Sequence, residues 1–283
     1  MALLEMDNKQ EYVKLLDLLA RVNDAIDIPP ISDADERERL VGAHYLANKF
    51  TGHALTIHHL SRGYVIQDLP SFPKLNFRDS ASIDVLTRAS LEAFLVFHYV
   101  FYAPASIEEK NYRYWSYKAA GIVEWQSGLE SISEHEQEKA EEKKELNKLI
   151  QRLKSNTVFK SLADSQKKRI LNGEWRLLSW PKIAIDTGFS KILASFIYRY
   201  LSGSAHSSNT SILRMAQALV NKEPEKLIEG SINTMNIIIA NLIREYCALF
   251  PRAQNVLTKD LEGNNLVKQY IQIGSGLDKY MGA

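Results

Sequence analysis

Hydrophobic residues recur every three or four positions along most of the chain, and this spacing predicts amphipathic helices. One predicted helix begins at Phe189 and carries its apolar residues on one side: Phe189, Ile192, Leu193, Phe196, Ile197 and Tyr200. Gly203 has the backbone freedom that commonly ends a helix, and His206 follows it. We find no run of alternating apolar and polar residues bounded by hairpin turns, the pattern that would predict β-strands. The sequence therefore predicts an all-α fold, a multi-helix bundle.

The same periodicity predicts further helices over 11–26, 33–63, 79–102, 108–128, 209–220 and 224–250. The segment from Tyr64 to Arg78 contains Pro70 and Pro73, and it is predicted to be a loop along the surface. In the helix over 209–220, four apolar residues are predicted to face inward: Ile212, Met215, Leu219 and Val220.

The helix over 79–102 is the most apolar in the chain and is predicted to be central and buried on all sides. Arg88 and Glu92 interrupt it, and their spacing of four places them on the same face. Charges in such apolar surroundings need a partner or an open cleft. One interpretation is a buried ion pair that fixes the register of the helix, and the other is a direct catalytic role. The pair could also orient a neighbouring functional side chain.

The composition changes at Ser131, where a charged segment that favours helix begins. Its apolar residues form a seam only toward its end: Leu146, Leu149, Ile150 and Leu153. We predict one helical-bundle domain over 1–130 and 176–262, with a charged helical insertion over 131–175 that projects into solvent and folds back beside the bundle. The tail over 263–283 is rich in Asn and Gly, and it is predicted to pack weakly.

The composition limits the classes of partner and the cellular compartment that are expected for this chain. With 283 residues and 45% hydrophobic content, the chain can bury a proper core. Because 35 Lys+Arg stand against 34 Asp+Glu, no duplex-DNA binding is expected. Cys247 is the only cysteine, which excludes an intrachain disulfide and a cysteine-based zinc site. No apolar run reaches the roughly 20 residues that span a bilayer, and the N-terminal residues lack a signal-peptide pattern, so a soluble, cytoplasmic protein without membrane contact is expected.

Two groups of residues suggest chemistry but also have ordinary explanations. The helix over 33–63 carries four histidines whose spacings do not suit two metal ligands on one face, so no metal site is predicted: His44, His53, His58 and His59. Aromatic and basic residues alternate over 108–128, where they could stack on single-stranded bases. Packing between helices is the interpretation that we favour. No cofactor is expected, because no glycine-rich phosphate-binding motif follows a strand.

Arg199 lies near the end of the helix that begins at Phe189, and six residues separate it from His206. Ser202 follows Arg199 by three residues and therefore shares its side of the helix. An arginine and a histidine that converge on one point could bind a phosphate and transfer a proton. Because charges on apolar helices need polar partners, Arg88 and Glu92 are predicted to meet Arg199 and His206.

An arginine followed by four to six residues and a histidine, in an all-α chain, resembles the signature of the HEPN superfamily (higher eukaryotes and prokaryotes nucleotide-binding). The helical domains of this superfamily include metal-independent ribonucleases. The string Tyr198-Arg199-Tyr200-Leu201-Ser202 through His206, preceded by a helix with Arg88-Ala89-Ser90-Leu91-Glu92, also looks like a group of uncharacterised bacterial helical proteins. The likeness in helix order runs from about Val41 to Leu242.

The resemblance implies a mechanism and partners. His206 would take a proton from a ribose 2′-hydroxyl and return one to the leaving 5′-oxygen, while Arg199 would hold the scissile phosphate. It also implies RNA as the partner, no metal, a site formed across a homodimer, and a role in stress or phage defence. The residue after the arginine, commonly polar in active members, is Tyr200 here. Four residues would support the catalytic pair: Arg88, Glu92, Tyr198 and Ser202.

The alternative function is that of a non-catalytic helical interaction or scaffold protein, in which Arg199 and His206 only brace helix ends. Exposure discriminates between the two functions, because a ribonuclease needs both side chains in one open cleft. A homodimer is also expected from the residues themselves. The helices over 108–128 and 224–250 offer more apolar surface than a single bundle needs.

Overall fold

The computed structural model describes residues 8–28, 30–128 and 136–280, and most of these residues lie in helices. The first group of helices comprises α1 (Asn8–Asp24), α2 (Ala34–Ser61), α3 (Ser80–Phe97), α4 (Ile107–Gly128), α5 (Glu136–Ser155), α6 (Thr157–Ser161) and α7 (Asp164–Leu171). The second group comprises α8 (Trp180–Asp186), α9 (Lys191–Ala205), α10 (Asn209–Val220), α11 (Pro224–Leu249), α12 (Pro251–Lys259) and α13 (Leu261–Tyr280). The predicted all-α bundle is confirmed.

Helix α3 lies at the centre of the bundle and packs against α2, α9 and α11, as its apolar sequence predicts. Phe94 is fully buried and stacks on Phe189, with 5.9 Å between the ring centres, which joins α3 to the segment that leads into α9. Ile238 and Ile243 of α11 are also fully buried. Each such side chain stabilises the fold by roughly 1.5–3 kcal/mol through the apolar surface that it removes from water.

A five-residue π-helical turn, His98–Tyr102, continues α3 and carries a buried polar cluster. His98 Nδ1 lies 2.9 Å from Oε1 of Glu245, and His98 Nε2 lies 3.3 Å from Oδ2 of Asp186. Arg244 donates to the same Glu245 oxygen at 3.0 Å. Because Glu245 is completely buried, these bonds satisfy its Oε1 atom in place of water, while Oε2 has no hydrogen-bond partner.

The segment between α2 and α3 is a β-hairpin, so the prediction of a loop over Tyr64–Arg78 was wrong. Strands β1 (Tyr64–Leu69) and β2 (Phe72–Phe77) pair antiparallel, and Tyr64 stands opposite Phe77 with 5.6 Å between ring centres. Cross-strand aromatic pairs of this kind stabilise hairpins. Pro73 lies within β2, which is tolerated because a strand with one neighbour has an edge outside the ladder.

Helix α10 presents its apolar side to solvent, so the predicted inward orientation of four of its residues was wrong. Their exposed fractions are 55% for Ile212, 40% for Met215, 69% for Leu219 and 80% for Val220. The buried residue of α10 is Ser211. An amphipathic pattern indicates that a face is suited to burial, but it does not say what covers that face.

Helix α13 covers the described part of the predicted tail over 263–283, so the prediction of weak packing was wrong for these residues. Val267 and Tyr270 are buried against the core. The Gly274 carbonyl accepts a hydrogen bond from the backbone N–H of Ser190, the N-cap of α9. The carboxylate of Asp278 accepts bonds from the backbone N–H groups of Lys191 and Ile192. Helix α13 therefore fixes the start of α9 through the donors that a helix N-terminus leaves free.

The charged segment packs on α4, and residues 129–135 lie outside the described part. Helices α4 to α7 enclose a small second core, separate from the main one: Tyr112, Ala119, Leu149, Leu153, Phe159 and Ile170. Four aromatic residues of α4, Tyr112, Tyr114, Trp115 and Tyr117, pack within the chain, as the favoured interpretation expects, whereas Trp125 is 51% exposed. Arg113 lies over the ring of Tyr99 at 4.2 Å and donates to its carbonyl. Among the described residues, we find no helix with the length and apolarity needed to cross a membrane.

Candidate functional site

Arg88 of α3 and His206 at the end of α9 are in direct contact. Arg88 Nη1 lies 3.0 Å from His206 Nε2. A guanidinium has only donors and does not lose its proton, so Nε2 of His206 is the acceptor. The imidazole in this arrangement is neutral and carries its proton on Nδ1. Because His206 is exposed, this ring is accessible to a ligand.

Glu92 pairs with Arg88, as the ion-pair interpretation of their spacing expects, but the pair is partly exposed and not buried. Arg88 Nε donates to Oε1 of Glu92 at 3.1 Å, and the two side chains are 17% and 33% exposed. The guanidinium carbon of Arg88 also lies 5.9 Å from the centre of the Tyr198 ring. Glu92 and Tyr198 therefore orient the guanidinium that contacts His206.

Arg199 is exposed, and its Nε donates to the carbonyl of Ser195 in its own helix at 3.2 Å. Within the described part of the chain, no hydrogen bond or ion pair joins Arg199 to Arg88, Glu92 or His206. Seven positions along a helix amount to two turns, roughly 10 Å of rise, so Arg199 and His206 share a side without touching. The structure thus links three of the four side chains that were predicted to meet.

The turn after α9 fixes the position of His206. Its backbone N–H donates to the carbonyl of Ser202 at 3.1 Å, and Ser207 adopts a left-handed conformation with φ 51°. Gly203 lies inside α9, so the prediction that it ends the helix was wrong. A Cβ atom at Gly203 would lie 3.0 Å from Ser208 Oγ, a tight contact with the N-cap residue of α10.

A narrow cleft of about 20 Å³, enough space for a single water molecule, lies next to Asp84 and Ser204, and its polar residues were not predicted from the sequence. Asp84 stands one turn before Arg88 on α3 and accepts hydrogen bonds from Ser204 and Ser231. Arg214 lies over the ring of Tyr200 at 3.9 Å. The cleft is lined by Ser80, Ala81, Asp84, Tyr200, Ser204, Ser211, Arg214, Met215 and Leu227.

One signal in the sequence could have identified Asp84. Asp84, Arg88 and Glu92 recur every four residues on an otherwise apolar helix, so they form one polar stripe on α3. Nothing local marks Arg214, because its importance depends on how α10 packs against α9. The ring of Tyr200 supports that arginine. Burial raises the pKa of the Tyr200 hydroxyl, which therefore stays protonated at neutral pH.

Burial also raises the pKa of the Asp84 carboxyl above its ordinary value, while the bonds from Ser231 and Ser204 and the charge of Arg214 oppose this shift. A carboxyl group with a raised pKa in the folded state stabilises the fold fully below its unfolded pKa and loses that contribution as the pH rises through the folded value. We expect the free energy of unfolding of the wild type, relative to Asp84→Asn, to fall as the pH rises above about 4. Urea unfolding of both proteins across pH 4 to 8 measures this difference, and a constant difference would contradict the raised pKa.

The histidines of α2 make separate contacts in the part of the chain that the structure describes. No three or more His, Cys, Asp or Glu side chains there are grouped to hold a metal ion. His44 hydrogen-bonds through Nδ1 to Tyr246 and through Nε2 to Asn48, which fits the structural interpretation. His53 Nδ1, in contrast, is buried without a hydrogen-bond partner.

Comparison with known proteins places the site within a family. The model of a family of unknown function, DUF5677, matches residues 75–224, slightly more than half of the chain. The match runs from β2 to the first residue of α11 and includes Asp84, Arg88, Glu92, His206 and Arg214. A search of curated proteins and a search of solved structures found no match. The chain belongs to the DUF5677 family, and the site described above lies within the part that defines this family.

Proposed function

We propose that this protein binds RNA at the Arg88–His206 site and cleaves it as a metal-independent, HEPN-like endoribonuclease. The observation that supports the proposal best is the contact at 3.0 Å between Arg88 and an exposed histidine with an acceptor nitrogen. Attack of a ribose 2′-hydroxyl on the adjacent phosphodiester requires a base and a permanent cation. Here the two groups lie at hydrogen-bonding distance from each other.

The mechanism follows from the two atoms in contact. As RNA binds, Nε2 of His206 exchanges its bond with Arg88 for one with a ribose 2′-hydroxyl and takes that proton. The 2′-oxygen then attacks phosphorus, and the bond from phosphorus to the 5′-oxygen breaks. The protonated His206 returns its proton to the 5′-oxygen. The products are a 2′,3′-cyclic phosphate and a free 5′-hydroxyl.

The arginines around His206 supply the positive charge that phosphate binding requires. The guanidinium of Arg88, once released by the histidine, is free to bind the phosphate and stabilise its developing charge. Arg199 is exposed on the same side of α9 and is suited to bind a neighbouring phosphate. Local charge of this kind is compatible with a formal net charge of only +1.

The exposure of the two predicted catalytic residues favours the ribonuclease over a scaffold. Side chains that only brace helix ends would be buried against carbonyl or carboxylate groups. Both Arg199 and His206 are exposed, although Arg199 also donates to the Ser195 carbonyl of its own helix, as a brace would. A scaffold function is favoured by a different observation, the apolar face of α10. That face also suits a homodimer, which the resemblance implies.

We infer that the homodimer forms through α10 and not through α4 or α11, whose apolar residues are largely covered within the chain. Six large apolar side chains are 40–80% exposed on α9 and α10: Phe196, Ile212, Leu213, Met215, Leu219 and Val220. Phe196 contacts Tyr200 of its own helix, with 5.8 Å between the ring centres, and Tyr200 contacts Arg214 of α10, so the two helices adjoin at this surface. At roughly 100 Å² per side chain it offers on the order of 600 Å², close to the roughly 800 Å² that each partner buries in a standard interface.

We expect the double substitution of Leu219 and Val220 by aspartate to convert a dimer into a monomer, because four charges would then face each other across the interface. Sedimentation velocity at micromolar concentration measures the change. Leu261→Asp is the matched control, since Leu261 is 73% exposed on α13, and this variant should sediment like the wild type. A wild-type monomer, or a double variant that remains dimeric, would overturn the assignment of the interface.

A cleavage assay in EDTA tests the proposed activity. Single-stranded RNA is incubated with the wild type, and the product ends are identified by mass spectrometry. The proposal expects 2′,3′-cyclic phosphate ends and no cleavage of the same sequence made of 2′-deoxynucleotides. Absence of cleavage, or cleavage of the deoxy strand, would contradict it.

A further inference from the structure

The end of α9 is attached to α3 at two points that lie one turn apart on α3. Arg88 contacts the ring of His206, and Asp84, four residues earlier, accepts a hydrogen bond from Ser204. Ser204 precedes His206 by two residues, in the last turn of α9. The bond from Ser204 Oγ to Asp84 Oδ2 is 2.8 Å long.

Asp84 is a rigid acceptor for this bond. Its side chain is buried in the wall of the cleft, and its other oxygen, Oδ1, accepts from Ser231 Oγ of α11 at 2.5 Å. Ser231 is almost completely buried. The carboxyl group is therefore held by the central helix of the bundle on one side and by α11 on the other, and its position does not depend on α9.

The last turn of α9 needs such an anchor. The final carbonyl groups of a helix lack partners within the helix, so helix ends fray. His206 is the first residue beyond α9, it is exposed, and the next residue has a left-handed backbone. The His206 ring contacts α3 through its hydrogen bond with Arg88, the other member of the proposed catalytic pair.

We propose that Asp84 is a positioning residue: through Ser204 it holds the last turn of α9 so that the ring of His206 stays against Arg88. The expected effect on RNA cleavage rests on the proposed function, whereas the positioning of His206 does not. Loss of alignment by about an ångström lowers enzymatic rates strongly, by tenfold or more. The geometry of the pair can be measured without any substrate.

Two serine variants separate this role from a general contribution to stability. Ser204→Ala removes the hydrogen bond from α9 to Asp84, and Ser231→Ala removes the one from α11. The two variants are matched, because each deletes one hydroxyl that donates to the Asp84 carboxylate. Heteronuclear NMR of the His206 ring reports on the contact with Arg88, and urea unfolding reports on stability. We expect Ser204→Ala to shift the His206 ring resonances toward those of an unstructured histidine and to lower kcat about tenfold with little change in KM. We expect Ser231→Ala to leave the ring resonances and kcat near wild-type values, whatever its effect on stability.

Ser204→Thr keeps the hydroxyl and should restore both the ring resonances and kcat. Unchanged His206 resonances in Ser204→Ala would overturn the proposal, as would equal changes in Ser231→Ala. If the wild type does not cleave RNA, the proposed function fails while the resonances still decide whether Asp84 positions His206. If cleavage is observed but the resonances do not respond to Ser204→Ala, only the positioning role fails.

Discussion

Replacing His206 with alanine is expected to lower the rate of metal-free RNA cleavage by about 10²- to 10⁴-fold, because the reaction loses its base and its acid together. The fold does not depend on this side chain, which is exposed, so the variant should unfold at nearly the urea concentration of the wild type. Initial rates on a single-stranded RNA, measured in EDTA, give the ratio. His59→Ala removes an exposed histidine from α2 and should retain the wild-type rate. A His206→Ala variant that cleaves at the wild-type rate would remove the catalytic role of this residue.

The two arginines should respond differently. Arg88→Ala is expected to lower kcat by about 10²-fold or more, because the guanidinium in contact with His206 stabilises the charge that develops on the phosphate. Arg199→Ala should mainly raise KM, since an exposed arginine that binds a neighbouring phosphate contributes equally to the ground state and the transition state. The reverse pattern would return the role of catalytic cation to Arg199, as the sequence motif alone suggests.

Replacing His98 with alanine is expected to destabilise the fold by about 3–5 kcal/mol. His98 is buried and hydrogen-bonds to Glu245, whose carboxyl group has no exposed surface. In the variant this group retains Arg244 as its hydrogen-bond partner, and its second oxygen, Oε2, is buried without a partner even in the wild type. A buried carboxylate that loses a donor keeps its full cost of desolvation. Urea unfolding of the variant and the wild type measures the loss.

His59→Ala is again the matched control and should change the free energy of unfolding by less than about 0.5 kcal/mol. A second substitution, Glu245→Gln in the His98→Ala background, should recover part of the loss, because it removes the charge that was left buried. If His98→Ala costs less than about 1 kcal/mol, the cluster does not depend on this hydrogen bond, and water takes the place of the imidazole.

Periodicity was sufficient to predict the helices that build the core and the ion pair between Arg88 and Glu92. Both depend on residues three or four positions apart, which a helix brings together whatever else the chain does. The contact between Arg88 and His206 spans 118 positions and depends on how α3 and α9 cross. The motif alone favoured Arg199 as the partner of His206, because sequence spacing cannot show which of two nearby cations reaches the ring.

The wrong predictions have a common physical cause. The apolar stripe on α10 and the polar, glycine-containing tail indicate how strongly burial would stabilise each segment. They do not indicate which surface of the remaining chain is available to cover it. In the structure α13 caps and supports α9, while α10 turns Ser211 and Arg214 toward the cleft and leaves its apolar residues outside. The hairpin was missed because prolines marked it as irregular, and two short strands carry little periodic signal.

The second core beneath α5, α6 and α7 has a consequence for the motions of the protein. Its six fully buried residues are separate from the main core, and α4 contributes to both. These helices can therefore open and close without exposing the interior around α3 and α11, and amide hydrogens within them should exchange with solvent at a lower free energy than those of the central helices. Because of the same separation, a change in the length or charge of this segment would leave the packing of α3 against α9 in place.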